Sequence, residues 1–186
     1  FEKLRDYIPG DSYEDIHWKA TAKRGTPVTK IFQVERTQEV YVAIDASRLS
    51  ARPTPPTGEP ALDRYLTAAL LLGLAAEQQG DLFGLASFTD HVDTFLRARN
   101  GRAHYNACRD AFYMLHPQPV TPDFEEVATF IQLRLRRRAL LLFLTALDDP
   151  VLAEHFTKSL DLIARKHLVL VHMINPPGAH PLFSHS

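Results

Sequence analysis

Three short stretches of this chain set oxygen-bearing side chains beside apolar, element-like runs. They are Asp45-Ala46-Ser47-Arg48-Leu49-Ser50, Val120-Thr121-Pro122-Asp123 and Thr145-Ala146-Leu147-Asp148-Asp149. In open sheets, ligands bind outside the carboxyl ends of strands, where the strand order switches. Two carboxylates at such a rim, Asp45 and Asp148, are a minimum set for a metal-assisted hydrolase or a phosphoryl-transfer enzyme. Each residue also has a plain structural use. Asp45 can accept from nearby backbone amides, Thr121 can cap a helix, and Asp148 can cap the next one, since Pro150 follows at the first turn. Asp45 with Ser47 is the pair on which a functional expectation rests.

Other chemistries find little support. The nine histidines are scattered rather than set at zinc-ligand spacing. No Gly-x-Ser-x-Gly elbow, Walker-type loop or glycine-rich phosphate cradle is present, so nucleotide binding at the strand switch lacks its usual loop. Cys108, beside Arg109 in a helical pattern, reads as a small packed residue rather than a nucleophile. Arg134, Arg136, Arg137 and Arg138 follow a predicted helix, where cations complement the helix dipole.

The segment from Leu4 to Arg24 is dense in polar, aromatic and turn chemistry. Asp6, Asp11, Glu14 and Asp15 alternate with Arg5, Lys19, Lys23 and Arg24, around a Pro9-Gly10 turn and the single tryptophan, Trp18. As a local fold element it would bury Trp18 as an anchor and pair Arg5 or Lys19 with Asp11 or Asp15. As a functional element it would form a docking surface. Lys19, Lys23, Arg24 and Lys30 are diluted by Glu14, Asp15 and Glu35, so a nucleic-acid patch is not expected.

The elements that must position these groups follow from periodicity. Val28 to Val34 alternates apolar and polar residues and predicts an edge strand or ribbon. Glu39 to Ile44 reads as a buried parallel strand that delivers Asp45 to its carboxyl end. Residues 51–60, with four prolines and a glycine, predict a mobile surface loop. Leu62 to Gln78 predicts a helix ended by Gly80. Asp81 to Phe88 and Val92 to Leu96 predict two strands paired antiparallel across a turn at Thr89-Asp90. Helices are expected from Arg102 to Leu115, from a cap at Thr121 or Asp123 to about Gln132 with Pro122 at the first position, and from Asp148-Asp149-Pro150 to about Arg165. Ala139 to Leu144 and Leu168 to Ile174 predict the remaining strands, the last closed by Pro176-Pro177. Strands alternating with helices mean a parallel sheet covered on both faces.

With 186 residues, 45% hydrophobic content and 23% charged residues, the chain is long enough and apolar enough to bury a core. A net charge of -1 gives no global attraction for nucleic acid or an anionic membrane. One cysteine excludes an internal disulfide framework and points to a reducing compartment. The longest apolar stretch, Leu66 to Ala76, is shorter than the roughly 20 residues a membrane span takes. An opening at Phe1, inside the dense segment, reads as a piece of a longer protein.

Residues 4–24 resemble the signature of the DUF58 family of bacterial proteins, whose biochemical role is undefined. Arg5, Tyr7, Pro9, Gly10 and Asp11 match its first half, and Ile16, Trp18 and Lys19 its second. His17 stands where the family usually has aspartate, and Lys23 where an arginine is common. DUF58 domains are similar to the von Willebrand factor A fold. The resemblance therefore implies a three-layer α/β domain, with a mainly parallel central sheet and helices on both faces. It implies an N-terminal signature extension at 1–37 packed on a domain at 38–177, with a tail at 178–186.

In that fold a metal-ion-dependent adhesion site uses an aspartate-(any)-serine-(any)-serine loop, a later threonine and a later aspartate. The resemblance implies a Mg2+ or Mn2+ site at Asp45, Ser47 and Thr121, since hard cations take oxygen ligands. Here the motif is kept in part: Leu49 stands at the third position, Ser50 is one residue late, and Ala146 replaces the later aspartate with Asp148 displaced by two. The family further implies a non-enzymatic interaction module that partners a MoxR-type AAA+ ATPase, with Arg5, Tyr7, Pro9, Gly10, Asp11, His17, Trp18 and Lys19 as its signature surface. It implies a cytoplasmic domain of a membrane-anchored parent.

Overall fold

The computed structural model describes residues 2–32 and 38–174. The chain divides into two compact units, 1–37 and 38–186. The far end of the predicted 28–34 ribbon, the Pro176-Pro177 closure and the 178–186 tail lie outside the described residues.

In the first unit, β1 (Glu2–Asp6) pairs antiparallel with β2 (Val28–Phe32). Between them come a one-turn 3-10 helix (Tyr13–Asp15) and α1 (Trp18–Arg24), a helix the sequence reading did not anticipate. Nδ1 of His17 caps α1 by accepting from the Ala20 amide at 3.1 Å. Gly25 ends it in the left-handed region at φ 72°, which a residue without a Cβ adopts at little cost. Ile16, Val28 and Thr29 form the small buried centre. The expected aromatic anchor is corrected here: Trp18 is 68% exposed, because α1 presents its first turn to solvent and Ile16 takes the inward place.

The second unit is a three-layer α/β sandwich. Its five-stranded sheet has the order β7-β6-β3-β8-β9, with β3 (Glu39–Asp45) in the middle. β3 runs parallel to β6 (Leu82–Phe88) and β8 (Leu140–Leu144), and β8 parallel to β9 (Leu168–His172). Only β7 (Val92–Arg99) is antiparallel, as the short 89–91 link to β6 requires. α2 (Ala61–Gln79) and α3 (Arg102–Phe112) cover one face, packing on Val42, Ile44 and Leu85. α4 (Phe124–Arg134) and α5 (Pro150–Ile163) cover the other, packing on Tyr41, Ala43, Phe88 and Phe143. The period-2 alternation of β3 thus feeds two cores at once, which is why it reads as one continuous apolar run.

Several expectations are corrected. Within the expected mobile surface loop, residues 53–60 form a hairpin of β4 (Pro53–Thr54) and β5 (Glu59–Pro60), closed around Gly58. Asp123 alone caps α4, accepting from the Glu125 and Glu126 amides, each at 3.0 Å, so Pro122 precedes the cap instead of starting the helix. Asp149 caps α5; Asp148 lies one residue too early and turns outward to Arg52. Arg134 stands in the last turn of α4 with its guanidinium over the Phe130 ring, and Lys166 Nζ also donates to the Leu135 carbonyl there at 2.7 Å.

Candidate functional site

The carboxyl end of β3 is the centre of the second unit's upper rim. Beyond Asp45 the chain turns sharply, because Asp45 Oδ1 accepts from the Ser47 amide at 2.8 Å and Ser50 Oγ donates to the Ser47 carbonyl at 2.8 Å. The turn is tied to its neighbours by main-chain bonds. Ala46 donates to the Phe88 carbonyl, Arg48 to the Val120 carbonyl, and Gln118 to the Ala46 carbonyl. Pro60 stands at the capping position before α2 and supplies no side-chain cap. The first amides of α2 instead donate to the carbonyls of Arg52 and Ser50 in the same loop. The three corners named from the sequence therefore meet.

They meet with their side chains turned different ways. Asp45 and Ser47 are fully buried. Oδ2 of Asp45 accepts from Thr145 Oγ1 at 2.5 Å, so both carboxylate oxygens have protein donors. Ser47 Oγ accepts from the Leu49 amide, and Leu49 itself packs into the core. Thr121 is exposed, and its hydroxyl accepts from Arg48 Nε at 3.1 Å. A hard cation needs carboxylate and hydroxyl oxygens open toward one point. Asp45, Ser47 and Thr121 in this arrangement do not present such a set. Among the described residues no three His, Cys, Asp or Glu side chains converge on a metal position.

Burial pushes the Asp45 carboxyl above the usual carboxylate range, opposed by hydrogen bonds from Ser47 and Thr145. Tyr65, buried on α2, is pushed up by the same loss of water and by the nearby Asp45 and Asp148 charges. Asp148 is held in an ion pair with Arg52. The loop after β3 thus sends one arginine to each neighbouring corner, Arg48 to Thr121 and Arg52 to Asp148. Neither was singled out from the sequence, where Arg48 fills a variable position of the partial motif. The available signal was two guanidiniums four residues apart on one rim loop.

Two hollows flank this centre. One, of about 200 Å3, lies over Leu49, Pro53, Ala61, Tyr65, Leu147 and Ile174, with the Arg52–Asp148 pair at its wall. The other is a broader groove of about 840 Å3 between Asp90, Thr121, the start of α4 and the α5 side chains His155 and Lys158. Two of its carboxylates are committed: Asp123 caps α4, and Asp90 holds His91 at 2.8 Å; the third, Glu125, stands in the first turn of α4.

In the first unit the signature residues act together. Arg5 donates both terminal nitrogens to Asp11, at 2.8 and 2.7 Å. Asp11 also accepts from the Ile8 amide and from Thr29 Oγ1, which closes the Pro9-Gly10 turn on to β2. These bonds hold the Asp11 carboxyl below its ordinary range, the Arg5 fork foremost. Tyr7 stacks on Tyr13 at 6.1 Å. Pro9, Trp18 and Lys19 are exposed.

The family model described as "Protein of unknown function DUF58" matches residues 3–180. The chain belongs to the DUF58 family. Among solved structures, this DUF58 chain is similar to the conserved hypothetical protein BatB from Bacteroides thetaiotaomicron, at 15% identity and a TM-score of 0.51, over 76% of this chain and 73% of that one. It is also similar to the SpRpn10 VWA domain, at 11% identity and a TM-score of 0.46, over 75% and 90% of the two chains. A third is an aerotolerance-related membrane protein from Bacteroides fragilis, at 13% identity and a TM-score of 0.47, over 80% and 77%. At these identities the likeness concerns the fold alone, a three-layer α/β architecture. A comparison with curated proteins finds no match. Among the described residues no helix of the DUF58 chain is long and apolar enough to cross a membrane.

Proposed function

We propose that this DUF58 chain is a non-enzymatic protein–protein interaction module, that its partner is a MoxR-type AAA+ ATPase, and that the Asp45 corner is a degenerate metal-ion-dependent adhesion site. The observation that carries this reading is the sealing of Asp45. A metal-assisted hydrolase or phosphoryl-transfer enzyme would present Asp45 and Asp148 together on a deep cleft. Instead Asp45 lines neither hollow and spends both oxygens on Ser47 and Thr145, while Asp148 is tied to Arg52. The hollow that Asp148 lines, about 200 Å3, is below the roughly 300–1,000 Å3 of small-molecule sites, and the groove of about 840 Å3 is lined by neither Asp45 nor Asp148. The partner and a cytoplasmic, membrane-tethered parent are carried by the family resemblance.

The test is capture of a purified MoxR-type ATPase, encoded beside the chain, without nucleotide, with ADP and with a non-hydrolysed ATP analogue. Capture in at least one state is expected. Absence from all three overturns the assignment of partner, and turnover of phosphate esters that disappears in Asp45→Asn would overturn the non-enzymatic reading.

A further inference from the structure

The two edges of the second unit's sheet are built differently. β7 carries Asp93, Arg97 and Arg99 along its length and slips register twice against β6. Charges and irregularities of this kind keep an edge strand from pairing with another chain. β9, at the other edge, has neither. Its run Leu168-Val169-Leu170-Val171-His172 contains no Lys, Arg, Asp, Glu or Pro and keeps unbroken register along β8. Leu168 is 54% exposed, Leu170 48% and Val171 37%. On β8, by contrast, Leu142 and Leu144 join the core under α2 and α3, on the face that Leu170 shares by register. The uncovered apolar surface therefore belongs to the edge strand.

The hydrogen bonding of β9 limits what can pair with it. Leu168 donates to the Ala139 carbonyl, and the His172 carbonyl accepts from Thr145. The main-chain groups of Leu168, Leu170 and His172 thus face β8, and in a parallel ladder the intervening Val169 and Val171 turn their N–H and C=O groups outward. Antiparallel pairing about a two-fold axis at Leu170 sets Val169 of one copy opposite Val171 of the other, where the two exchange both main-chain bonds. Valine then meets valine and Leu170 meets itself, apolar and β-branched pairs that strands favour. Leu168 meets His172, so no like charges are opposed. An acidic or basic partner finds no complementary charge on this strand, whereas a second copy matches it at each position.

We infer that β9 is a self-association edge, through which two copies of this chain pair antiparallel about Leu170 and join their sheets. The inference stands apart from the ATPase reading and does not need it. A five-residue strand makes a small interface, so association in the micromolar range is expected.

Sedimentation velocity of the full chain from about 1 to 100 µM should show a reversible monomer–dimer equilibrium. Over the same range, hydrogen exchange at the Val169 and Val171 amides should slow by roughly tenfold or more, while the Leu168 amide, already bonded to Ala139, changes less. Leu170→Lys and Leu170→Glu, each at a half-exposed position, should keep the wild-type melting temperature at low concentration and weaken dimerisation at least about tenfold. An equimolar mixture of the two variants should recover the dimer, because unlike charges then oppose. A wild-type chain monomeric throughout, species larger than a dimer, or Val169 and Val171 amides indifferent to concentration would each overturn the inference. So would undiminished dimers of both variants, or a mixture no tighter than either variant alone.

Discussion

Thr145 Oγ1 donates to Asp45 Oδ2 over 2.5 Å between neighbouring strand ends, and neither side chain has any exposed surface. A carboxylate at the central strand's tip is therefore part of the core's polar bonding. Thr145→Val keeps the shape and removes the donor, leaving a buried acceptor unpaired. The expected cost is about 1–3 kcal/mol, read as a lower urea midpoint with an unchanged slope. A stability equal to wild type would mean the bond contributes nothing.

The same burial sets a pH dependence. The folded-state pKa of Asp45 lies above its unfolded value, so the folded state holds the proton more tightly. That contribution is complete below the ordinary carboxylate range and is lost as pH rises through the raised folded value. The stability difference, wild type minus Asp45→Asn, should therefore shrink from pH 3.5 upward. Denaturation of both proteins across that range, giving a constant difference, would sink the idea.

The sheet was legible because its strands are continuous apolar runs, and Asp45 was placed at the central strand's end for the same reason. Orientation was not legible. A period-2 pattern tells which strand residues share a face, but a turn beyond the last pair can rotate its side chains either way, as Ser47 and Arg48 show. Asp148 and Asp149 are both plausible caps in sequence, and a one-residue offset decides which takes the helix amides and which meets Arg52. Trp18 misled through its size: an indole is usually well buried, but here Ile16 and Val28 take the buried places and Trp18 stays exposed. α1 was missed because a histidine is an uncommon cap.

Gly84 marks a close approach the sequence did not announce. Tyr41 crosses beneath it to accept from the Ala98 amide at 3.1 Å, where β6 and β7 slip in register. A Cβ on Gly84 would collide with the Tyr41 ring and sit 2.9 Å from the Ala98 nitrogen. Gly84→Ala should cost about 1–3 kcal/mol through overpacking. Thermal melts of the single variant and of Gly84→Ala with Tyr41→Ala check it. The second change opens the space, so a double variant no more stable than expected from additive losses would remove the collision as the cause.

His167 gives a pH effect of the opposite sense. It is buried at the start of β9, its Nδ1 accepts from the Ala139 amide at 3.2 Å, and its Nε2 has no partner. Burial lowers its pKa, so the folded state keeps the ring neutral while the unfolded chain takes up a proton. Stability should fall as pH drops below about 6.5, the ordinary histidine value. His167→Asn, whose amide oxygen can still accept from Ala139, should flatten this fall. An unaltered slope in the variant would place the titration on another group.

The signature segment separates into a structural half and a presented half. Asp11 gathers Arg5, Ile8 and Thr29, so Asp11→Ala should speed amide hydrogen exchange across residues 4–29 while leaving the β3 amides protected. Trp18 contributes little packing at its exposure, so Trp18→Ala should leave exchange unchanged and weaken ATPase capture. An exposed indole is among the side chains that most often dominate binding energy at an interface. Capture undiminished in Trp18→Ala would confine the segment to a structural role, and faster exchange in that variant would show the indole supporting the fold after all.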